Sequence, residues 1–587
     1  MRFDGNGRRN RLQAGLLAIG LSALSASGAS AQLLFDGNLY WNVHPTNTTA
    51  NSFVGSTTAA ACGGSLTTVQ LITNYGQNNL LDPLLSGGIY PGHNFQPTAG
   101  SPAYTGLTVN VPDAGAPGFL DQTCYNGAVG PNPADRWWEG WTYFDSTGAG
   151  RSDLHLGAPY DNDPRPVATY DNVAIRGTSF WGPDSNYLVR GQLRIKNGAS
   201  LNIAAGTVVF EEQATLGTII AERGGRLFAV GTASDPIIIT SDAVPGFFAR
   251  GQCGGIVLNG YARTNLVNSC VGDSAASEGG AVGFYGGNDD DDNSGTLQYV
   301  RVEYAGKEIT ANNELNAFTF NAIGKGTTIR YIQAHRGADD GIEFFGGTNH
   351  NKYLIATDGT DDGYDIQLGT RNVSQYVIVR VSPQFAPSGT QNGDKGIEAD
   401  NNEFGFDQVQ CAGRSNTTIA NMTIIGDTRL GAAFPGSIQG AHWRRGVAFG
   451  LVNSIVTNFK SGALRIEQDA TWIAHCTAPP ADPVSGCAPL GVEPGLGDAG
   501  QMFVARSTPN PFQNQVHFAI ELARESEVSV EIYGADGRLV QTIRNGRMAP
   551  GQHTVTWNVA REVPSGLYFY RLSAGEQRAT GKIARVH

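Results

Sequence analysis

Two short acidic turns in the middle of the chain carry the residue types with the clearest chemical potential. Ala338–Glu343 contains Asp339 and Asp340, and the motif recurs at Thr360–Asp365, which contains Asp361 and Asp362. If the two segments lie on adjacent coils, strand spacing stacks their carboxylates about 4.8 Å apart. One calcium ion, with oxygen ligands at about 2.3–2.6 Å, can bridge carboxylates at that separation. The four aspartates are therefore candidate ligands for Ca²⁺; the alternative, which the small number of motif copies favours, is that they are solvated turn residues.

Basic residues near the acidic turns raise the question of catalysis. A polysaccharide lyase would combine Ca²⁺-binding carboxylates with an Arg or Lys base, and Arg330, Arg336 and Lys352 lie nearby in sequence. No feature of the sequence singles out one of them, so the catalytic residues stay unassigned. Walker and Gly-x-Ser-x-Gly motifs are absent, which excludes P-loop nucleotide enzymes and serine hydrolases of that class.

The residues around the acidic turns must be positioned by short strands. Runs of three to five β-branched and apolar residues, such as Thr207–Phe210, Thr218–Ile220 and Ile237–Ile239, alternate with Gly, Asn and Asp. A period in the low twenties built from short strands indicates stacked coils. We predict an all-β protein in which residues 171–475 form a right-handed parallel β-helix.

Several of these segments also carry a family resemblance. Gly198–Ile203, Ala205–Val209 and Gly254–Ala262 resemble surface β-helix proteins of the pectin-lyase-like class, many of which are exported by Bacteroidetes-type bacteria. The resemblance implies the fold and an extracellular location. It does not imply an activity, because one fold serves many functions.

The N-terminal part of the chain divides into two regions. Residues 1–31 are predicted to be a secretory signal peptide, because arginines precede an apolar run that ends in small residues. Residues 32–170, rich in Gly, Pro and aromatic residues, are expected to cap the open end of the helix. Within them, the aromatic cluster Trp137–Trp141 fits a local hydrophobic plug or, alternatively, a sugar-stacking surface.

The C-terminal part contains a linker and a second domain. Residues 476–505 are rich in Pro, Gly and Ala and are predicted to be a linker, and residues 506–587 alternate apolar and polar positions between turns, which predicts a small β-sandwich. Pro509–Phe512, Tyr533–Arg538 and Pro564–Tyr570 resemble the C-terminal sorting domain of type IX secretion substrates, which is similar in pattern to the immunoglobulin-like domain of flagellar hook-capping proteins and so implies an immunoglobulin-like sandwich. That resemblance implies export machinery as a partner and a secreted or outer-surface location.

Composition limits the partners. The formal net charge is −12, which makes nucleic acid an unsuitable ligand, and a transmembrane segment is not expected in the mature chain. Seven cysteines in an exported protein suggest disulfides, and the short loops favour Cys253 with Cys270 and Cys476 with Cys487.

These observations give two hypotheses for function. The first is a noncatalytic surface protein that serves adhesion, glycan binding or envelope structure, with extracellular polysaccharide or cell-surface glycan as a partner. The alternative is a calcium-dependent polysaccharide lyase or another polysaccharide-degrading enzyme. Convergence of the acidic turns with an arginine in an open groove would favour the enzyme.

Overall fold

In a computed structural model of the chain, the central region is described at residues 164–244, 247–266, 275–278, 283–310, 313–381, 395–405, 413–427, 439–459, 461–468 and 471. The structure also describes most of residues 502–586 and shorter pieces between residues 34 and 144. Residues 1–33 and 472–501, which include the predicted signal peptide and most of the predicted linker, lie outside the described residues.

The central region is built from parallel strands that stack in two long sheets, which confirms the predicted parallel β-helix. Within the described residues, the first, sheet 1, has eleven strands, each hydrogen-bonded to a strand of the neighbouring coil. In spatial order its strands are Ala174–Ile175, Gln192–Ile195, Thr218–Ala221, Gly255–Asn259, Phe318–Asn321, Ile342–Phe345, Tyr364–Gln367, Lys395–Asp400, Gln439–Arg444, Gly462–Ile466 and Phe53–Gly55.

The second sheet, sheet 2, has seventeen strands in the part of the chain that the structure describes and supplies the other two faces of the coils. Shorter strands such as Arg226–Val230 and Ile237–Ser241 pair with the two halves of one long strand, Gly295–Glu303. In chain order, the strands of sheet 2 are Leu34–Asp36, Leu39–Trp41, Asn79–Leu80, Val167–Asp171, Thr178–Trp181, Asn186–Arg190, Ser200–Ala204, Val208–Glu211, Arg226–Val230, Ile237–Ser241, Gly295–Glu303, Thr328–His335, His350–Thr357, Val373–Arg380, Asn416–Ile425, Ala448–Val452 and Ile455–Thr457.

Short elements connect and flank the coils. They are the antiparallel pairs Ala275–Ala276 with Phe284–Tyr285 and Lys307–Thr310 with Asn313–Leu315, the α-helical turn Pro102–Thr105, and the 3₁₀ turns Pro133–Asp135 and Gln213–Thr215. None of the helices in the described residues is both long and apolar enough to cross a membrane.

The long strands of sheet 2 bend at a column of tyrosines. Tyr299, Tyr331, Tyr353 and Tyr376 each have a positive φ, between 51° and 63°, a region that non-glycine residues rarely adopt. Their rings stack along the helix with centroid separations of 4.4, 4.3 and 4.9 Å. Aromatic stacking therefore accompanies the strained backbone at this corner of each coil.

The interior of the helix follows the period-two alternation of the strands. Ile342 and Phe344 point into the core, whereas Glu343, between them, lies on the outer side of sheet 1. Ile342 pairs with Tyr364 on the next coil, which confirms that the two acidic segments are offset by one coil. The acidic turns therefore lie one above the other.

A column of glycines precedes the core-facing residues of sheet 1. A Cβ added at Gly341, Gly363, Gly396 or Gly440 would lie 2.1–2.7 Å from a side-chain atom of sheet 2. At Gly440, the Cβ would lie 2.2 Å from Cγ1 of Val456. The repeated Asp-Asp-Gly motif thus ends in glycine because the two sheets approach too closely for a side chain.

Replacement of Gly440 with alanine is expected to destabilise the helix by about 1–3 kcal/mol, because the added methyl overpacks the core against stiff, branched Val456. Urea unfolding measures this loss. Gly182→Ala is the matched control, since its Cβ would meet no atom within 4 Å. Equal stability of the Gly440→Ala and Gly182→Ala proteins would contradict the prediction.

The N-terminal segment packs on the end and side of the helix. Leu34–Asp36 and Phe53–Gly55 pair with Ala448–Val452 and Gly462–Ile466, and these pairings cover strand edges of the last coil. The described residues between 94 and 144, here called the strap, lie along the outer side of sheet 2.

The tryptophans of the strap pack against the tyrosine column. Trp138 and Trp141 are buried, and the Trp141 ring lies edge-on to Tyr299 and Tyr331 at 5.7 and 6.3 Å. Trp137 lies edge-on to Tyr353 at 5.3 Å. The burial of Trp138 and Trp141 corresponds to the plug interpretation for these two residues, because a sugar cannot stack on a buried ring; Trp137 is partly buried.

The C-terminal region consists of two antiparallel sheets with a shared apolar core. One sheet contains Met502–Thr508, Gln515–Leu522 and Gly551–Asn558, and the other contains Leu539–Met548, Ser526–Gly534, Gly566–Ala574 and Gln577–Arg585. Phe518 and Trp557 from the first sheet and Val530 and Leu572 from the second belong to this core. An immunoglobulin-like topology stays a prediction.

Candidate functional site

A column of ionisable residues runs along the outer side of sheet 1. Glu343 pairs in register with Asp365, Asp365 with Glu398, Glu398 with His442, and His442 with Arg465. Each of them follows a core-facing residue, so strand alternation places all five on the outside. The column begins with carboxylates and continues with mixed charges.

The acidic turns flank the first two members of this column. The Gly341 amide donates to the Asp362 carbonyl at 2.9 Å, and the Asp362 amide donates to Oδ1 of Asp340 at 2.9 Å. Backbone stacking therefore fixes the distance between the turns, as the sequence predicts. Asp339 and Asp340 are buried, whereas Asp361 is partly buried.

Two sets of three carboxylates result from this stacking. Asp339, Asp340 and Asp361 form the outer set, and Asp340, Glu343 and Asp365 form the inner set. Within each set, one oxygen from each residue lies within 4.8 Å of the other two. Asp340 belongs to both sets, so the two lie side by side.

Asp362 and Glu343 have other partners in addition. Asp362, the fourth predicted ligand, belongs to neither set, and its Oδ2 lies 3.6 Å from Nζ of Lys395. Glu343 accepts hydrogen bonds from the side-chain amides of Asn316 and Gln367, the latter at 2.9 Å. These amides hold the Glu343 carboxylate in place beside Asp340 and Asp365, the other members of the inner set.

Burial and mutual repulsion act together on the carboxyl groups. Burial, followed by the charge of Asp361, raises the pKa of Asp339 to about 9. Burial also raises the pKa of Asp340, Glu343 and Asp365 well above their ordinary values, with neighbouring carboxylates as the next cause. Ionisation of this cluster therefore requires compensating positive charge.

The second half of the column is compensated by basic side chains. Nζ of Lys395 lies 2.8 Å from Oε1 of Glu398, Arg444 also contacts Glu398, and Nε2 of His442 lies 2.7 Å from Oε2 of Glu467. Burial works to raise the pKa of Glu398, but His442, whose Nδ1 lies 3.6 Å from Oε1 of Glu398, and the charges of Lys395 and Arg444 outweigh burial and lower that pKa. This half of the column is an ion-pair network.

The basic residues considered from sequence do not lie beside the acidic turns. Arg330 and Lys352 are on strands of sheet 2, where Nε of Arg330 donates to Gln298 and Nζ of Lys352 donates to Asp121 of the strap. Arg336 lies over the ring of Tyr143. Lys395 and Arg444 contact the column instead. The sequence signal for Lys395 was Asp394–Glu398, a looser copy of the acidic motif, whereas no comparable motif marked Arg444.

The predicted pairing of Cys253 with Cys270 is wrong in this structure. Cys253 is a free thiol, fully buried in the core, and its Sγ lies 3.3 Å from the carbonyl oxygen of Glu303. The thiol therefore lies in the apolar core of the β-helix. Cys270 and the second predicted pair, Cys476 and Cys487, lie outside the described residues, and the second pairing stays a prediction.

Comparisons with known proteins agree with this architecture. A family model described as a pectate-lyase-like β-helix domain matches residues 174–479, more than half of the chain. A second model, described as a secretion system C-terminal sorting domain, matches residues 508–585. No curated protein matches the chain.

One solved structure is distantly similar. It is that of the Streptococcus pneumoniae surface protein and adhesin PfbA, at 11% identity over 52% of this chain and 91% of that chain, with a TM-score of 0.16. A likeness this remote carries no argument about function.

Proposed function

Since the chain belongs to the family of pectate-lyase-like β-helix domains and carries a sorting domain, we propose that it is a noncatalytic scaffold for adhesion, glycan binding or envelope structure. The sorting domain directs the protein to the outer cell surface or to secretion. A long parallel helix suits this role, because each coil contacts mainly its neighbours and the stack can present an extended surface.

The observation that carries the proposal is the burial of the acidic residues. A calcium-dependent lyase needs carboxylates in an open groove, where a cation can bridge enzyme and substrate. Asp340, Glu343 and Asp365 are each no more than 8% exposed. A polysaccharide cannot reach side chains that are covered to this extent.

The lyase alternative depends on Lys395 and Arg444, which lie closer to the carboxylates than the basic residues considered from sequence. A base must be free to accept a proton from the substrate. Lys395 is engaged by Asp362 and Glu398, and Arg444 donates to Asp400 at 2.9 Å. Ion pairs of this kind favour the protonated, inactive form of a base.

An assay for product release tests the proposal. The full chain is incubated with a panel of acidic and neutral polysaccharides in the presence of calcium, and unsaturated sugars and new reducing ends are measured. We expect none from a folded sample. Product formation would overturn the noncatalytic assignment; loss of that activity in Lys395→Ala but not in Lys352→Ala would locate the base.

A further inference from the structure

We propose that the two carboxylate sets form a closed site for two divalent cations, which ties two successive coils of the helix together. The outer set, Asp339, Asp340 and Asp361, would hold one ion, and the inner set, Asp340, Glu343 and Asp365, the other. Asp340 would bridge the two ions. This inference goes beyond the proposed function, because it concerns the internal support of the fold.

Unpartnered oxygens provide the observation that points to a ligand. Oδ1 of Asp365 and Oδ2 of Asp339 are buried and have no hydrogen-bond partner among the described residues. Each of the two residues is only 8% exposed, so bulk water does not compensate them. A buried carboxylate oxygen without a donor is costly, and a bound cation removes that cost.

The positions of the carboxylates are fixed before any ion binds. Glu343 and Asp365 are direct neighbours on paired strands of sheet 1, and the Asp362 amide holds Asp340. The amides of Asn316 and Gln367 hold the two oxygens of Glu343 while leaving lone pairs for a cation. A preorganised site of this kind loses little conformational entropy on binding.

The ligand chemistry selects a hard cation. Both sets consist of carboxylate oxygens alone, which suit Ca²⁺ or Mg²⁺, whereas zinc prefers nitrogen and sulfur. Separations of up to 4.8 Å between ligand oxygens fit two bonds of about 2.3–2.6 Å to one calcium ion. Carboxylates alone also suit Ca²⁺, which accepts flexible oxygen coordination, better than Mg²⁺, which requires a near-ideal octahedron and keeps several of its waters.

The charge balance supports two ions rather than one. The two sets contain five carboxylates, and two divalent cations reduce the formal charge from −5 to −1. One ion would leave −3 in a buried cluster. Lys395 pairs with Asp362 and Glu398, two carboxylates that belong to neither set. Basic side chains therefore neutralise the carboxylates next to the two sets, and the cations would neutralise the sets themselves.

Calcium binding to the full-length protein tests the inference. After treatment with a chelator, the protein is titrated with calcium alone, and bound calcium and the melting temperature of the helix are measured. We expect two ions per chain and a higher melting temperature with calcium, since a ligand that binds the folded state stabilises it. Asp365→Asn and Asp361→Asn should each bind one ion, and Asp340→Asn none.

Asp291→Asn is the control, because this aspartate lies in an exposed loop outside both sets. It should bind two ions. Absence of calcium binding in the wild type, or one ion only, would overturn the two-cation site, as would two ions retained by Asp340→Asn. Circular dichroism verifies that each variant is folded, and failure here leaves the product-release assay of the proposed function unaffected.

Discussion

Replacing Arg380 with methionine is expected to lower the free energy of unfolding of the β-helix by about 3–5 kcal/mol, because a buried carboxylate loses its cation. Arg380 donates to the two oxygens of Asp358 at 3.0 and 2.8 Å, and both side chains are at most 2% exposed. The rings of Phe95 and Phe144 in the strap cover the guanidinium. Water therefore cannot replace the lost partner, and urea unfolding followed by circular dichroism measures the effect.

Arg190→Met is the matched control for this prediction. Nε of Arg190 lies 2.7 Å from Oε1 of Glu212, but its side chain is 44% exposed. An exposed pair contributes about 0–1 kcal/mol, so the control should unfold almost as the wild type does. Asp358→Asn combined with Arg380→Met removes the unpaired charge and should recover part of the loss. Equal losses of unfolding free energy in Arg380→Met and Arg190→Met would contradict the prediction.

Local patterns were sufficient to predict the helical repeat where the coils are uniform. The two acidic segments have the same spacing as the paired residues Ile342 and Tyr364, which are equivalent positions on adjacent coils. Elsewhere the turns contain insertions. Thr296 pairs with Thr328, and Val373 pairs with Thr418, so these coils are longer than the coil that carries the acidic motif. A repeat of varying length leaves no fixed period in the sequence, so the extent of the stack had to be predicted from the short β-branched runs and their turn residues rather than from a constant period.

The candidate site was predictable only in its local part. The motif around Asp339 and Asp361 indicated stacked carboxylates, since both copies have the same length. The closure of the site depends on Asn316 and Gln367, and no local pattern connects these amides to Glu343. Beyond Glu398, the basic half of the column was likewise hidden, because the distance from Glu398 to His442 includes an insertion.

The position of the N-terminal segment also could not be predicted from the sequence. Leu34 pairs with Gly450, so a strand from the start of the described chain joins the opposite end of the β-helix sequence. Parallel pairing uses the backbone, so the side chains of such a short strand carry little information about its partner. An end cap could be expected on physical grounds, whereas the choice of the last coil could not.

The structure separates the two roles that calcium could have in this fold. A cation in an open groove would bind substrate, whereas a cation among Asp340, Glu343 and Asp365 would be enclosed by protein. Enclosure makes the ion a part of the scaffold. A calcium requirement for stability would therefore not be evidence for lyase activity, and the two properties need separate measurements.

The second large effect is expected at Glu211, where the Glu211→Gln protein should become progressively more stable than the wild type as the pH rises. The Glu211 side chain is fully buried, accepts a hydrogen bond from the Gly255 amide at 2.8 Å, and lies beside the Cys253 thiol. Burial raises its pKa to about 8, from 4.5 in the unfolded chain. Between pH 4.5 and pH 8, Glu211 keeps its proton in the folded state but has released it in the unfolded state.

The contribution of Glu211 to stability is therefore expected to fall as the pH rises from 4.5 to 8, by an amount on the order of 5 kcal/mol above pH 8. Glutamine is neutral throughout this range and still accepts the Gly255 hydrogen bond, so Glu211→Gln escapes the loss. Urea unfolding of both proteins at several pH values measures the difference, from which the pH dependence of all other groups cancels. Glu212→Gln is the control, because this neighbouring carboxylate pairs with Arg190 near the surface. Parallel pH curves for the wild type and Glu211→Gln would contradict the prediction, because they would show that burial does not raise the pKa of Glu211 in the folded protein.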